Sequence, residues 1–411
     1  MNKQKLQQYL QITLRQLAIW IIWKYQPGII GVTGSVGKTS TKEAIYAVLK
    51  KHRNTRKSSG NFNNEIGLPL TILGDWQEIG GRFFWPKVIA MSLLRLIFRM
   101  KYPELLVLEY AADKPGDIKY LLDIARPQIG VVTTIGDIPV HVEFYSGPEA
   151  VAREKSKIIE ALPSTSFAIL NYDDEVVLDM KERTRAHIMT FGFNDGAQVQ
   201  MINYEIRMDG EKPAGIGFKL NYGGSFVPIR LDGCFGKAQA YAAAAAASVG
   251  IAFGLNLVKI SEALLEYSTP AGRGKIISGI KHSYILDDTY NASPLSVEAA
   301  IHTMEDWKAK RKVAVLGDML ELGKYTIEAH EGIGKFIPGN FDILVTVGSR
   351  AKFIGESAIA EGMNSKNIYN FDTAEEAAPE VQKLIRKGDL ILVKGSHGVR
   401  LDKVVEEIKE V

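Results

Sequence analysis

In the first segment of the chain, Leu10, Leu14, Leu17 and Ile21 recur at helical spacing, with Gln8, Gln11 and Arg15 opposite them. That rhythm predicts an amphipathic helix over residues 4–25, closed by Pro27 and Gly28. The pattern then changes. Short apolar runs at residues 29–33, 105–109 and 130–134 alternate with helical stretches beginning at Lys38 and near Asp117. Such alternation predicts a parallel sheet with helices on both faces. Between residues 198 and 231 short strands are joined by turns at Asp209-Gly210 and Gly223-Gly224, which predicts an antiparallel insertion. Residues 238–258 carry few polar groups but are mostly alanine, and Gly250 and Gly254 interrupt them. Alanine adds little apolar area, so this stretch reads as a close-packed internal helix and not a membrane span.

Near Thr269 the chain passes Pro270, Gly272 and Gly274, the composition of a hinge. A second series of apolar runs follows at residues 284–288, 313–317, 343–347 and 390–394. The expectation is an α/β protein in three parts. Residues 1–27 form an opening amphipathic helix, and residues 28–268 a central unit with a mixed or parallel sheet and the antiparallel insertion. Residues 269–411 form a Rossmann-like unit.

Composition narrows the class. The chain has 411 residues, 46% apolar and 24% charged, as in soluble globular proteins. A net charge of +3, with no block of Lys and Arg, gives no footprint for nucleic acid. The single cysteine, Cys234, excludes a disulfide framework and a cysteine-ligated zinc, and fits a reducing cytoplasm.

The strongest chemical signal is Gly31-Val-Thr-Gly-Ser-Val-Gly-Lys-Thr-Ser40, between a predicted strand and a predicted helix. In that setting backbone N–H groups from Thr33, Gly34, Ser35, Val36 and Gly37 to Ser40 turn toward a phosphate at the positive end of the helix. Lys38 would reach the β- and γ-phosphates, and the Thr39 hydroxyl would bind Mg2+. The strict P-loop pattern asks for glycine where Val32 stands, so the strand-and-helix context carries the assignment. Glu109 ends the apolar run 105–109, where a carboxylate can ligate Mg2+ beside a P-loop. His141, Glu143 and Lys155 form a third group, with Lys155 on a predicted helix over 148–162. Residues 287–294, 317–323 and 394–396 then end three successive strands, where open α/β sheets bind ligands. Arg273, between two glycines of the hinge, is placed to meet phosphate.

Together these residues resemble the Mur ligases, over a match running from about Gly28 to the C-terminus. Gly60-Asn-Phe-Asn-Asn-Glu-Ile-Gly-Leu-Pro69 is similar to that family's second signature, and His141-Val-Glu143 to its third. The resemblance implies an ATP-dependent amide-bond ligase working through an acyl phosphate. It implies two Mg2+ ions, held by Thr39, Glu109, His141 and a carbamylated Lys155, with catalytic roles for Lys38, His141 and Lys155. It further implies that Arg273, Asp288 and Asn291 face ATP. Asn61, Asn63, Asn64, Asp318, Glu321, His330, Lys394 and Ser396 would serve the other substrates. Asp287-Asp-Thr-Tyr-Asn-Ala-Ser-Pro294 and Gly317-Asp-Met-Leu-Glu-Leu-Gly323 look like the branch that adds D-alanyl-D-alanine to a UDP-muramoyl-peptide. A monomer is expected.

The chain departs from that family in places. About thirty residues precede the P-loop, too few for the domain that grips the uridine diphosphate sugar in relatives. Ala238, Gln239 and Ala242 stand where His-Asn and a later Asn are usual, so adenine contacts are expected to differ. No acid precedes Glu43, and residues 82–102 lack acids while carrying Phe83, Phe84, Trp85, Leu93, Leu96, Ile97 and Phe98. Ser92, Arg95 and Arg99 are expected to share a polar face. Residues 4–25 and 83–102 suit either packing on one another or peripheral contact with the inner membrane surface. The same chemistry on a lipid-linked muropeptide, a folate or another carboxylate is the alternative. A silent P-loop scaffold is disfavoured by the intact Lys38, Thr39, Glu109, His141 and Lys155.

Overall fold

The computed structural model describes residues 3–60, 62–210, 212–305 and 307–410. The first of its two sheets contains β1 (Gly28–Thr33), β2 (Thr55–Lys57), β3 (Leu105–Glu109), β4 (Ile129–Val132), β5 (Phe167–Asn171), β6 (His187–Gly192), β7 (Val199–Asp209), β8 (Lys212–Tyr222) and β9 (Ser225–Asp232). Their order is β2-β3-β1-β4-β5-β6-β7-β8-β9. Pairing is parallel from β2 through β7 and antiparallel from β7 to β9. The expected antiparallel stretch is present and continues the parallel sheet at one edge.

The helices of this half are α1 (Lys3–Tyr25), α2 (Lys38–Lys50), α3 (Gly67–Leu73), α4 (Phe84–Ile97), α5 (Asp117–Ile124), α6 (Pro148–Glu160), the short α7 (Glu175–Leu178), α8 (Lys237–Ala252) and α9 (Leu257–Leu264). Strand alternation sorts the core. Ile30, Val32, Leu105 and Val107 face α2, α8 and α9, whereas Ile29, Leu106 and Leu108 face α1, α3, α5 and α6. In α8, Ala242 to Ala247 are wholly buried. A Cβ on Gly250 would come within 3.0 Å of Val48, which explains a helix of small residues at this close crossing.

The opening helix belongs to this core: Leu14, Leu17, Ala18 and Ile21 of α1 are buried with Leu68, Leu70 and Val88. Helices α1 and α4 do pack on one another. The expected polar face of α4 is overturned, because Ser92 is buried with its hydroxyl donating to Val88 O at 2.7 Å. Arg95 donates to Leu73 O, and Arg99 lies past the helix end. Ser92 and Arg95 thus satisfy backbone carbonyls, while Trp85, Ile89 and Leu96 pack on the core and Leu93, Leu94 and Ile97 meet solvent.

The second sheet comprises β10 (Lys275–Gly279), β11 (Ser283–Asp288), β12 (Lys312–Gly317), β13 (Ile343–Val347), β14 (Ile368–Phe371) and β15 (Leu390–Lys394), ordered β10-β11-β15-β12-β13-β14. All pairs are parallel except β10 with β11. Helices α10 (Pro294–Glu305) and α11 (Thr326–Gly334) cover the face formed by Leu286, Ala314, Leu316 and Leu392. The halves touch: Phe235 stacks on Trp307 at 5.3 Å, and Val142 and Val151 join this second core. The carboxyl ends of both sheets thereby open on one cleft.

Candidate functional site

Strand β1 lies between β3 and β4, so the turn after it emerges at the middle of the sheet. Ser35 and Val36 donate their N–H groups to Thr134 O, and the Thr133 hydroxyl donates to Val36 O at 2.6 Å. Gly34 has φ +145, and a Cβ there would fall 2.0 Å from Thr133 Oγ1. Only glycine lets the loop lie this close to β4. The loop enters α2, whose first turn carries no acid to oppose an anion. Thr33, Thr39 and Ser40 are buried, and Ser35 Oγ is buried without a hydrogen-bond partner.

Glu109 ends β3 and is buried against this turn. Its Oε2 accepts from the Thr39 hydroxyl and its Oε1 from Asn63 Nδ2, each at 3.1 Å. Burial alone would raise the Glu109 carboxyl, but Lys42, Lys38 and Arg273 outweigh it and hold the group below the usual carboxylate range. The site therefore keeps an anion in the interior by ringing it with cations. Lys38 donates to Gly34 O at 2.9 Å. Burial lowers its pKa, Glu109 works against that, and Arg273 adds to it. Thr39 and Glu109 present two hard oxygen donors of the kind Mg2+ takes. Among the described residues no three His, Cys, Asp or Glu side chains are placed to hold a metal. Phosphate and water would thus complete the shell of an ion at Thr39 and Glu109.

Lys155, on α6, is fully buried, and its Nζ has no hydrogen-bond partner. Burial and the nearby Lys38 push its pKa down to about 7, against the pull of Asp113 and Glu154. An amine in that condition is an available nucleophile. His141 has φ 66 and projects toward the second half of the molecule. Its Nε2 stands 3.5 Å from Asp113 Oδ1 and its Nδ1 2.7 Å from Glu321 Oε2, a short contact outside hydrogen-bond alignment. His141 holds the Glu321 carboxyl below its usual range. The exposed Glu143 donates only its backbone N–H, to Glu321 O at 3.3 Å.

From the second sheet, Lys394 donates to Asp288 Oδ2 at 2.6 Å and to Asn291 O at 2.9 Å, fixing the loop after β11. The Arg273 guanidinium lies 3.9 Å from the centre of the Tyr290 ring. These groups, with Lys38, Thr39, Glu109 and His141, line a cleft of about 340 Å³. A neighbouring chamber of about 530 Å³ continues past Val36 and Gly37 between Asn171, Asp173 and Tyr241. Ala238 borders both spaces. Gln239 is committed elsewhere, donating to Arg273 O at 2.8 Å and accepting from Tyr267 Oη at 2.5 Å.

Several residues predicted for substrate stand behind the surface. His330 is buried, donates from Nδ1 to Thr326 O at 2.6 Å and accepts Met319 N–H on Nε2 at 3.0 Å. Asp318 accepts from Arg350 and Ala351 N–H, while Ser396 accepts Leu320 N–H at 2.9 Å. All three hold the 317–323 loop; Glu321 alone of that group reaches across to His141. Asn64 accepts from Gly67 N–H at 2.9 Å at the start of α3, leaving Asn63 to meet Glu109. Asn61 lies outside the described residues.

Two groups escaped the sequence reading, Lys42 and Tyr241, and Tyr290 lay in the predicted 287–294 stretch without a role of its own. Lys42 is wholly buried with Nζ 3.7 Å from Glu109, one helical turn after Lys38. That spacing was its only signal. The Tyr241 hydroxyl donates to Asp173 at 2.7 Å, a contact made across β5 and α8 that no local pattern marks.

Comparison with known sequences places this geometry among relatives. Residues 32–78 and 86–250 match the Mur ligase middle domain, and residues 272–397 match the Mur ligase, glutamate ligase domain. A UDP-N-acetylmuramoyl-tripeptide–D-alanyl-D-alanine ligase of Bacillus subtilis is 31% identical, covering 97% of this chain and 79% of the relative. Its counterpart in Synechocystis is 30% identical, covering 92% and 74%. MurF from Acinetobacter baumannii superposes with a TM-score of 0.79 at 26% identity, over 97% of this chain and 80% of that one. MurF ligase from Thermotoga maritima, solved in complex with ADP, gives 0.78 at 28% identity, over 97% and 83%.

Proposed function

This chain belongs to the Mur ligase family of ATP-dependent ligases, and from that premise we propose that it joins D-alanyl-D-alanine to a UDP-muramoyl-tripeptide. The observation that carries the reading is convergence on one cleft. Lys38, Thr39 and Glu109 arrive from the first sheet, and Arg273, Asp288 and Asn291 from the hinge and the second. The relatives above carry that reaction in their names, and the Thermotoga protein holds ADP on the same fold.

In this mechanism a carboxylate oxygen of the tripeptide attacks the γ-phosphorus of ATP, and ADP leaves. The acyl phosphate then meets the amine of D-alanyl-D-alanine. Nitrogen bonds to the carbonyl carbon, the amine loses a proton, and phosphate departs with the former carboxylate oxygen. The loop amides and Lys38 hold the β- and γ-phosphates while charge moves between them. Arg273, set over the Tyr290 ring, faces the phosphates from the other half. Closure of the halves keeps water from the acyl phosphate.

Magnesium supplies charge neutralisation at the transferring phosphoryl group when bound, and Thr39 with Glu109 fits it. Lys155 fits the carbamate role: an unprotonated amine attacks CO2, releases a proton and becomes an anion that, with His141, suits a second Mg2+. Asp318, His330 and Ser396 act as positioning residues for the loop that presents Glu321 to the amino substrate. The division into residues 1–27, 28–268 and 269–411 is read with one amendment, that α1 folds as part of the central core. The chain is read as a monomer working on cytoplasmic substrates.

Phosphate release from Mg-ATP, with each substrate alone and both together, tests the assignment. It predicts release only with both, a product with the mass of the pentapeptide, and loss of both signals in Lys38→Ala. Turnover restored only by a lipid-linked muropeptide or a folate would move the acceptor elsewhere.

A further inference from the structure

Helix α4 is apolar on both sides. Its inward side carries Val88 and Ser92, with Trp85, Ile89 and Leu96 packed against the core, while Phe83 at its cap and Leu93, Leu94 and Ile97 within it face solvent. Helix α1 has two apolar faces. Leu14, Leu17, Ala18 and Ile21 enter the core, and on the opposite side Tyr9, Ile12, Trp20 and Trp23 form a second stripe in the open. Trp23 is 78% exposed, Phe83 74% and Ile97 71%, values a soluble surface gives to polar side chains.

The two helices are locked together. Lys24 donates to Arg95 O at 2.9 Å, Leu96 O at 2.8 Å and Phe98 O at 3.2 Å, and the Tyr25 hydroxyl donates to Arg95 O at 3.0 Å. The carbonyls that end α4 are thus satisfied within the protein, and Trp20, Trp23, Ile97 and Phe98 flank a fixed junction. Neither helix contains an acid, and Arg82, Lys87, Arg99 and Lys101 are exposed around the patch.

We propose that the outer faces of α1 and α4 dock on an anionic phospholipid bilayer. Exposed tryptophans beside lysine and arginine suit the headgroup level, where an aromatic body is buried and a cation meets lipid phosphate. Docking is peripheral, since among the described residues no helix is long and apolar enough to cross a membrane. Charge decides between lipid and a second copy of the chain: two such faces would bring cations against cations, whereas anionic lipid neutralises them. The argument rests on the two helices and stands whatever substrate the cleft takes.

Flotation of the full chain with phosphatidylcholine vesicles, with and without phosphatidylglycerol, tests the proposal. The chain should float with the anionic vesicles, stay behind with neutral ones and detach as salt rises. Lys87→Gln and Arg99→Gln should each weaken binding roughly five-fold. Trp23→Ser with Ile97→Ser should abolish it while circular dichroism and soluble-substrate turnover hold. No flotation with anionic vesicles, or flotation untouched by these variants, overturns the proposal. So does a dimer in size-exclusion chromatography that the same variants dissolve, which would give the face to a second copy.

Discussion

The Thr39 hydroxyl donates to the Glu109 carboxylate across 3.1 Å, joining the first turn of α2 to the end of β3. Seventy residues separate the partners in sequence. Glu109 stays ionised there because Lys42, Lys38 and Arg273 offset its burial. Glu109→Gln keeps the shape but removes the anion and turns one of its two accepting oxygens into a donor. Turnover should fall on the order of 100-fold or more, with a higher Mg2+ requirement, and the melting temperature should drop because Lys42 loses its buried counter-charge. Turnover unchanged at low Mg2+ would remove Glu109 from the metal site.

Lys155 supplies a pH dependence. Its folded pKa of about 7 lies below the ordinary 10.5, so from about 7 to 10.5 the unfolded chain holds a proton that the folded one does not. Stability therefore rises with pH across that window, and below it the fold carries the full penalty of a buried ammonium. In the chain free of nucleotide and bicarbonate, Lys155→Met should raise the melting temperature most at pH 6 and progressively less above pH 7. With substrates present the same variant should lose activity, and wild-type turnover should gain from bicarbonate. A melting difference that ignores pH would mean that Lys155 is not desolvated.

The Arg273 guanidinium carbon sits 3.9 Å from the centre of the Tyr290 ring, and a lysine lacks the planar, five-donor fork that occupies that place. Arg273→Lys should lower kcat roughly 10- to 100-fold while melting temperature holds. A change confined to KM for ATP would assign Arg273 to ground-state binding alone.

The two faces of α1 should respond differently. Leu17 is 3% exposed, and Leu17→Ala should cost about 2–5 kcal/mol in denaturant unfolding. Trp23→Ser, at the open face, should stay within about 0.5 kcal/mol of wild type. Equal losses at both positions would show that Trp23 has a partner within the fold.

Local periodicity carried much of the architecture. The P-loop, β3 with its terminal Glu109 and four of the second sheet's six strands follow from runs of apolar residues and glycine spacing, whereas β10 and β14 were not foreseen. The edge strand β2 has three residues and no apolar alternation, so nothing local announces it. In the cleft, Thr39 and Glu109 were legible because each sits in a motif, whereas Lys42 looked like one more helix lysine until burial placed it against Glu109. His330 was legible as a polar residue after a motif, but not that both its nitrogens would be consumed behind the loop. The second, outward apolar side of α4 was hidden for a related reason. Helical spacing identifies two faces, and only the tertiary partners Leu73 and Lys24 decide which one turns inward.

The fate of the substrate carboxylate oxygens tests the ligase mechanism most directly. A UDP-muramoyl-tripeptide with heavy oxygen in its terminal carboxylate, turned over with Mg-ATP and D-alanyl-D-alanine, should pass one labelled oxygen to the released phosphate and keep the other in the new amide. Phosphate free of label, or label recovered in the nucleotide, would contradict activation of the acid as an acyl phosphate in this cleft.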